Sequence, residues 1–308
     1  MPTGSLGVLA PHDGTLVAAA SASHDAMSRP LVHAVELSVS DLVDDGELLG
    51  AFQRRGDART DLPLARRATG GGSVRSGDGI IQCVLALETP SALVAANEDQ
   101  ILNRYVRPFL AALTKVAAPA HYFGRDWISI SHRPAAHVSF AHLRDTERTV
   151  VEVFVAARRT FASGVRSSHL GKEPIVLTEV AKSPVTADAL RDALLAELAE
   201  RHGLEAVSLP DRVPPPPSPV LDEPPWDASL DESIGPLCAG RDRAGMLRVG
   251  GELMASTDAI GALEERLRDA SRQDLDAIVD AVFTAPKVAL FGVRSLHSIR
   301  DVIAAALD

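Results

Sequence analysis

The sequence predicts an α+β fold, with a mixed sheet domain and flanking helices followed by a small α+β domain. Before residue 210, strand-like and helix-like segments mix irregularly, which favours α+β over a regular doubly wound sheet. Residues 210–225 then contain eight prolines and can form neither a helix nor a central strand. We therefore divide the chain into a first domain at 1–209, a proline-rich linker at 210–228 and a small domain at 229–308.

Alternating or continuous apolar residues predict the strands of the first domain. These strands lie at residues 31–39, 80–87, 127–131, 138–143 and 150–157. The acid-rich stretch 40–52 is expected to form a short helix or a loop. Residues 1–30 carry too little pattern to predict an element.

Helical spacing of apolar residues over 97–116 predicts a long amphipathic helix. A second helix is predicted over 186–202, with Thr186 as its N-cap and Gly203 at its end. Trp226 is expected to pin the linker to a domain surface. In the small domain, the sequence predicts a strand pair or bulged strand and then three helices, at 246–256, 259–269, 273–283 and 295–307.

The composition excludes several classes of protein. The chain has 308 residues and a net charge of −10, from 41 acidic and 31 basic side chains. Binding to nucleic acid or to an anionic membrane needs an excess of Lys and Arg, so we expect neither. Cys83 and Cys238 are too few and too far apart for a disulfide framework or a zinc site. Residues 1–10 do not read as a secretory signal, and no apolar run approaches the ~18 residues of a membrane span, so we expect a cytoplasmic protein.

A basic, glycine-rich turn is the most specific feature of the sequence. It consists of Arg66, Arg67, Gly70, Gly71, Gly72 and Ser73. Consecutive glycines leave backbone N–H groups uncovered, which can form a concave anion site, and a neighbouring arginine can add bidentate contacts to phosphate or carboxylate. A plain surface turn with two solvated arginines is the alternative. The turn is neither a Walker phosphate loop nor a dinucleotide fingerprint, because their spacings are missing.

The turn, Arg-Arg-x-x-Gly-Gly-Gly-x-Val, resembles the signature of the lipoate–protein ligase A family and its biotin ligase and octanoyltransferase relatives. Residues 79–83 resemble the family's Gly-Asn-x-x-x-Ser strand, and 124–126 its Gly-Arg-Asn-Asp segment, one residue shorter. Residues 171–179 lie at the position of the family's variable–Thr–Asn–Leu segment, which precedes a helix. The resemblance covers roughly residues 30–210 and 225–308 and implies the biotin/lipoate ligase fold with a small accessory domain.

The resemblance also implies a chemistry. Such ligases activate lipoic acid, or a related medium-chain fatty acid, with ATP and Mg²⁺ to an acyl-adenylate, and then transfer the acyl group to a lysine of a lipoyl-type carrier domain. It implies that the turn, Gly124 and Arg125 bind acid and nucleotide, and that Asp126 binds the metal. One carboxylate is a common protein contribution to a Mg²⁺ site.

The sequence departs from the family pattern at two places that bear on catalytic activity. The His-Asp pair expected after the turn is replaced by Ser76 and Gly77, and the family's Lys-(Ile/Val)-x-Gly by residues 132–136. The missing lysine stabilises charge developing on the adenylate. Arg133 or Lys172 are the candidates to replace it, although an arginine is not equivalent to a compact ammonium. The alternative is a non-catalytic binding or regulatory protein on the same fold.

Two further chemistries are disfavoured. His132, His137 and His142 recur every five residues, and an odd spacing on one strand places side chains on alternate faces, which argues against a zinc site. Cys83 lies in an apolar strand and is expected to be a small buried hydrophobe rather than a nucleophile.

Overall fold

The computed structural model describes residues 4–162 and 167–307. The helices in this part of the chain are α1 (Leu16–Ser28), α2 (Ile101–Val116), α3 (Ala187–His202), α4 (Thr257–Arg266), α5 (Leu275–Phe283) and α6 (Leu296–Leu307). The strands are β1 (Ser5–Val8), β2 (Val35–Leu42), β3 (Gly46–Leu49), β4 (Leu64–Arg66), β5 (Val74–Ser76), β6 (Ile80–Leu87), β7 (Ala120–Tyr122), β8 (Trp127–Ile130), β9 (Arg133–His142), β10 (Thr149–Ala156), β11 (Glu205–Ser208), β12 (Ala228–Glu232), β13 (Gly235–Arg241), β14 (Leu247–Gly251), β15 (Met254–Ala255) and β16 (Leu290–Phe291). None of the helices in these ranges combines the length and apolarity that a membrane span requires.

An eight-stranded mixed sheet forms the centre of the first domain, in the order β11-β1-β2-β6-β10-β9-β8-β7. Strand β1 runs parallel to both β2 and β11, and the other neighbours are antiparallel. A second, three-stranded sheet, β4-β3-β5, carries the glycine-rich turn between β4 and β5. The mixed sheet with flanking helices confirms the predicted fold class.

The central strand β10 is buried on both sides, and its alternating side chains assign the two faces of the sheet. Val151, Val153 and Val155 join the core that contains α2 and α3. Phe154 joins the core beneath α1 and the three-stranded sheet, and Glu152 points to the same face. The glycine-rich turn therefore faces a strand surface that is apolar except for a few buried polar side chains.

Most predicted elements are present with shifted ends. Helix α3 begins after Thr186, whose hydroxyl accepts a hydrogen bond from the Ala189 N–H, and ends at Gly203, which has a φ of 63°. Strand β9 begins at Arg133, five residues before the predicted start, because residues 133–137 pair with β8 across a bulge. Strand β2 begins four residues later than predicted.

One prediction about the first part of the chain was wrong, and two elements there were not predicted at all. The stretch 40–52 completes β2 and forms β3, because residues 46–49 pair with β4 and β5, two partners far along the chain. Residues 1–30, which showed little pattern, form β1 and α1. The buried side of α1 includes the small residues Ala19, Ala20, Ser21 and Ser23, so a search for large periodic apolar residues does not find it.

The C-terminal region packs its own apolar core and also contacts the central sheet. Strands β12, β13 and β14 form one sheet, and helices α4, α5 and α6 pack against it. The short pair β15-β16 reaches the central sheet, where the Phe291 ring meets the Phe140 ring edge-on at 5.4 Å. The predicted division at 210–228 stays a prediction, and three residues of the C-terminal region, Ile234, Met254 and Ala289, belong to the core of the first domain.

Arg54 holds the linker against both parts of the chain. Its side chain is 2% exposed and lies over the Trp226 ring, 3.6 Å from the ring centre. Its guanidinium donates to the carbonyls of Pro224, at 2.7 Å, and of Gly240, at 3.1 Å. The Trp226 indole donates to Asp57, at 2.9 Å, so Trp226 pins the linker as predicted.

Replacing Arg54 with Met is expected to lower the free energy of unfolding by about 3 kcal/mol, because buried carbonyls lose their donors and the ring loses its cation. Urea denaturation would measure the loss. Arg55→Met is the control, since the Arg55 side chain is 57% exposed and should change stability by less than about 0.5 kcal/mol. Equal losses in the two variants would contradict this role for Arg54.

His142 lies where β9 meets the C-terminal region, between the Thr149 hydroxyl at 2.9 Å and the Lys287 carbonyl at 3.1 Å. Burial lowers its pKa below the ordinary histidine value. The unfolded chain therefore binds this proton more readily, so the stabilisation is complete above about pH 6.5 and is lost as the pH falls below it.

The wild type is expected to lose unfolding free energy as the pH falls from 7.5 to 5.5, because His142 becomes protonated on unfolding. In His142→Gln this loss should be smaller, by at most about 1.4 kcal/mol per pH unit. Urea denaturation at each pH would measure it. His297→Gln, on the exposed side of α6, is the control for removing a histidine. A variant at His142 with the pH dependence of the wild type would refute the assignment.

Candidate functional site

Arg67 is the internal scaffold of the glycine-rich turn. Its side chain is fully buried. The guanidinium donates to the carbonyls of Leu48 and Gly72, at 2.8 and 2.7 Å, and to the Thr69 hydroxyl at 2.9 Å. Gly71 has a φ of +92°, a conformation that glycine adopts without strain. Arg67 therefore fixes the shape of the turn, and these donors are directed into the protein.

Glu152, on β10, balances the charge of Arg67. Its carboxylate lies 3.4 Å from the Arg67 Nε, and both side chains are fully buried. The Thr69 hydroxyl and the Gln82 amide, the latter at 2.5 Å, also donate to it. Burial raises the pKa of Glu152, while Arg67 and these hydrogen bonds oppose the rise. Gln82 in turn meets the His12 ring at 2.8 Å, so the pair is linked to the segment between β1 and α1.

Two of the three glycine amides of the turn are already engaged. The Gly70 N–H donates to the Phe140 carbonyl at 2.8 Å, and the Gly71 N–H to the Leu253 carbonyl at 2.7 Å. A Cβ at Gly70 would lie 2.5 Å from the Leu253 oxygen, so glycine is required for this close approach. Of the amides expected to form an anion site, that of Gly70 therefore donates to the central sheet and that of Gly71 to the C-terminal region.

A cluster of buried polar and aromatic side chains lies beside the turn on β9. A Cβ at Gly71 would be 3.6 Å from the His137 Nε2, and the His137 Nδ1 is 3.7 Å from the Asp126 carboxylate. His137 and Asp126 are fully buried. The Ser168 hydroxyl reaches Asp126 at 3.4 Å, and the Ser168 carbonyl accepts the Trp127 indole N–H at 3.1 Å. The turn and Asp126 thus meet at His137, and Ser168 joins the cluster through Asp126 and Trp127.

Lys172 supplies a cation at this cluster. Its ammonium lies 5.8 Å from the centre of the Trp127 ring, and the backbone N–H of Lys172 donates to the His169 carbonyl at 3.0 Å. No carboxylate of the described residues lies within ion-pairing distance of this ammonium. The chain has four lysines, and the other three are Lys115 at the end of α2, Lys182 in an exposed loop and Lys287, which pairs with Glu147.

Arg133 holds the segment that follows Lys172. Its guanidinium donates to the carbonyls of Glu173 and Pro174, at 3.1 and 2.8 Å, and to the Glu179 carboxylate at 2.9 Å. These contacts direct Arg133 to the segment 173–179 rather than to the turn. Of the two candidates for the missing lysine's role, only Lys172 faces the buried cluster.

The remaining predicted residues lie at the edges of this site. Gly124 has a φ of +72° in the open turn between β7 and β8, and the neighbouring Arg125 donates to the Ser233 carbonyl at 2.8 Å. Arg66 points away from Arg67, donates to the Ala51 carbonyl at 3.2 Å and lines two separate cavities. Ser73 is buried where the turn enters β5.

The alternative chemistries find little support in the geometry. Within residues 4–162 and 167–307, no three His, Cys, Asp or Glu side chains are grouped to hold a metal ion. His142 is used at the contact with Lys287, and His132 lies in the turn before β9. Burial raises the pKa of Cys83, and raises that of Cys238 to about 12, which opposes thiolate formation.

Sequence reasoning missed Glu152, Gln82, His12 and His169. Glu152 and Gln82 are single polar residues inside otherwise apolar strands, a pattern that could have marked them as buried partners of a charged group. The sequence contains no comparable signal for His12 or His169, whose positions depend on how loops fold over the sheet.

Comparison with solved structures identifies the class of fold. The structure is similar to LipL1 from P. falciparum in complex with lipoate, at 13% identity and a TM-score of 0.59 over 98% of this chain and 99% of that chain. A putative lipoate protein ligase from T. acidophilum is 14% identical, with a TM-score of 0.51 over 67% of this chain and 88% of that one. Lipoate-protein ligase A bound with ATP is 13% identical, with a TM-score of 0.51 over 68% and 90%.

These similarities establish that the chain has the lipoate–protein ligase fold, as the arginine–glycine turn predicted. The similarity to LipL1 extends over nearly the whole chain, including the small C-terminal region. No protein-family model matches the sequence, and no curated protein matches it significantly. At these identities the likeness concerns the fold, and the chemistry has to be argued from the site.

Replacing Glu152 with Gln is expected to lower the free energy of unfolding by about 3 kcal/mol, because Arg67 keeps its charge in a buried site without a counter-charge. The double variant Arg67→Met, Glu152→Leu should lose less than the sum of its single variants, since both charges leave together. Urea denaturation of the complete cycle measures the coupling. Strict additivity would contradict the pairing.

Proposed function

We propose that the chain is a lipoate–protein ligase-like protein that binds lipoate, or a related medium-chain acid, where the turn, residues 124–127 and residues 168–172 meet. The observation that carries this proposal is a chain of contacts: the turn and Asp126 lie at His137, Ser168 contacts Asp126, and the Lys172 ammonium lies beside Trp127. The structural neighbours include one ligase with bound lipoic acid and another bound with ATP. The fold and the placement of one cation support the same function.

In the proposed reaction, ATP is a substrate. The carboxylate of the acid attacks the α-phosphorus of ATP, forming an acyl-adenylate and releasing pyrophosphate. The neutral amine of a carrier-domain lysine then attacks the acyl carbonyl, forming an amide, and AMP and a proton leave. Negative charge develops on the phosphate and on the carbonyl oxygen in these steps, and a fixed cation stabilises it. We assign this role to Lys172, with Arg133 positioning its segment.

The environment of Asp126 does not fit a hydrated Mg²⁺ ion. Magnesium keeps several water ligands, whereas Asp126 is fully buried beside His137, and the described residues add no second carboxylate. We therefore assign no step to a metal ion at Asp126. The Asp126 carboxylate lies 3.7 Å from the His137 Nδ1, on the ring that lies next to Gly71.

A non-catalytic binding or regulatory protein on the same fold is the second candidate. It is favoured by the donors of Arg67, which are directed to the turn itself, and by the Gly71 amide, which donates to Leu253. Such a protein would keep the pocket and lack the transfer step. A ligand that contacts the Gly71 amide must first break its hydrogen bond to Leu253.

Two measurements on the same variants separate the candidates. Calorimetric titration with ATP–Mg²⁺, lipoate, octanoate and a non-hydrolysable lipoyl-adenylate analogue measures binding, and mass spectrometry of a lipoyl domain measures transfer. We expect Lys172→Ala to reduce transfer by about 100-fold, comparable to losing a donor to a developing oxyanion. Lys182→Ala, an exposed lysine in a nearby loop, is the control and should transfer like the wild type.

Analogue binding without transfer would favour the non-catalytic protein. Failure of all four ligands to bind would refute both candidates. Transfer that Lys172→Ala leaves unchanged would keep the ligase and refute the role of Lys172.

A further inference from the structure

A cavity that Lys172 does not line lies beside the start of the glycine-rich turn. It has a volume of about 310 Å³ and is enclosed by α1, the start of the turn, the linker and the first residue of α4. None of its lining residues belongs to the His137 cluster. Its volume is at the lower end of the range for small-molecule sites.

The lining of this cavity is free of acidic side chains, although the whole chain carries a net charge of −10. Its polar groups are the Arg66 guanidinium, the His24 ring and the hydroxyls of Ser28, Ser218 and Thr257. Apolar contacts come from Met27 and Leu143, among others. A cation and hydroxyl donors without a competing carboxylate suit an anion, and the apolar part suits a short carbon chain.

Arg66 has hydrogen-bonding capacity left for a ligand. One terminal nitrogen donates to the Ala51 carbonyl at 3.2 Å, while the Nε is shielded from solvent and has no partner among the described residues. Burial of a donor without an acceptor costs free energy that an anion in the cavity would recover. The His24 Nε2 lies beside it, 3.1 Å from the Arg66 carbonyl and 3.3 Å from the Ser218 N, so it forms a hydrogen bond with one of these groups at a time.

We propose that this cavity binds a small oxyanion, a carboxylate or phosphate, and that Arg66 is its principal ligand. The site differs from the proposed lipoate site, because neither Lys172 nor His137 lines the cavity. Arg67 also borders the cavity, but its guanidinium is engaged by Glu152 and by the turn, whereas Arg66 has donor capacity left. The two arginines of the signature thus serve two purposes, one structural and one in binding.

The test is calorimetric titration of the full chain, in a buffer without other oxyanions, with inorganic phosphate and separately with butyrate. Arg66→Gln should weaken binding about tenfold or more, the effect of losing a charge-assisted contact. Thr257→Val, which removes one hydroxyl and keeps the side-chain shape, should weaken it less. Binding of phosphate alone would identify a phosphoryl ligand, and binding of butyrate alone a carboxylate.

Arg75→Gln is a closely matched control. Arg75 lies on the same three-stranded sheet, is half-buried like Arg66 and also has an Nε without a partner in the described chain, but it lines neither of the two cavities that Arg66 lines. We expect Arg75→Gln and Lys172→Ala to bind both probes like the wild type.

Three results would overturn the proposal: no binding of either probe to the wild type, equal weakening in the two arginine variants, or loss of binding in Lys172→Ala. The last would place the anion in the lipoate site instead. Because transfer activity depends on Lys172 and anion binding on Arg66, failure of one proposal leaves the other intact.

Discussion

The ion pair of Arg67 and Glu152 is the constraint on which the candidate site depends. Both charges are fully buried, and burying them costs several kcal/mol each unless good geometry and further hydrogen bonds compensate. Here the compensation comes from the turn itself: the carbonyls of Leu48 and Gly72 and the hydroxyl of Thr69 satisfy the pair. Because atoms of the turn satisfy the buried pair, the most specific motif of the sequence is first of all a structural device.

This use of Arg67 changes how charge is distributed at the site. An arginine that donates to its own turn cannot at the same time offer those donors to a phosphate, so the cations left near the turn are Lys172, beside Trp127, and Arg66, in its cavity. Lys172 lies on an irregular segment, and irregular segments position groups less firmly than strands do. Arg133 compensates by holding residues 173–179 against β9 with three donors.

The C-terminal region acts as a wall of the site. The Leu253 carbonyl accepts the Gly71 N–H, and the Ser233 carbonyl accepts a hydrogen bond from Arg125. Phe291 packs on Phe140 of the central sheet. Each of these contacts links a residue beside the proposed pocket to the C-terminal region. Access to the turn therefore depends on the position of that region.

The sequence by itself determined the fold class, most strands and helices of the central layers, and the importance of the turn, because these rest on periodicity, caps and one glycine-rich motif. It could not find β3 or α1, since pairing between distant segments and burial of small residues leave no periodic signal. The sequence identified both arginines of the turn. It did not show that the Arg67 guanidinium is directed to Glu152 and the Arg66 side chain to a cavity. Only the tertiary structure decided that Arg67 turns inward, because its partner Glu152 lies 85 residues further along the chain and meets it only when β10 is placed beneath the turn.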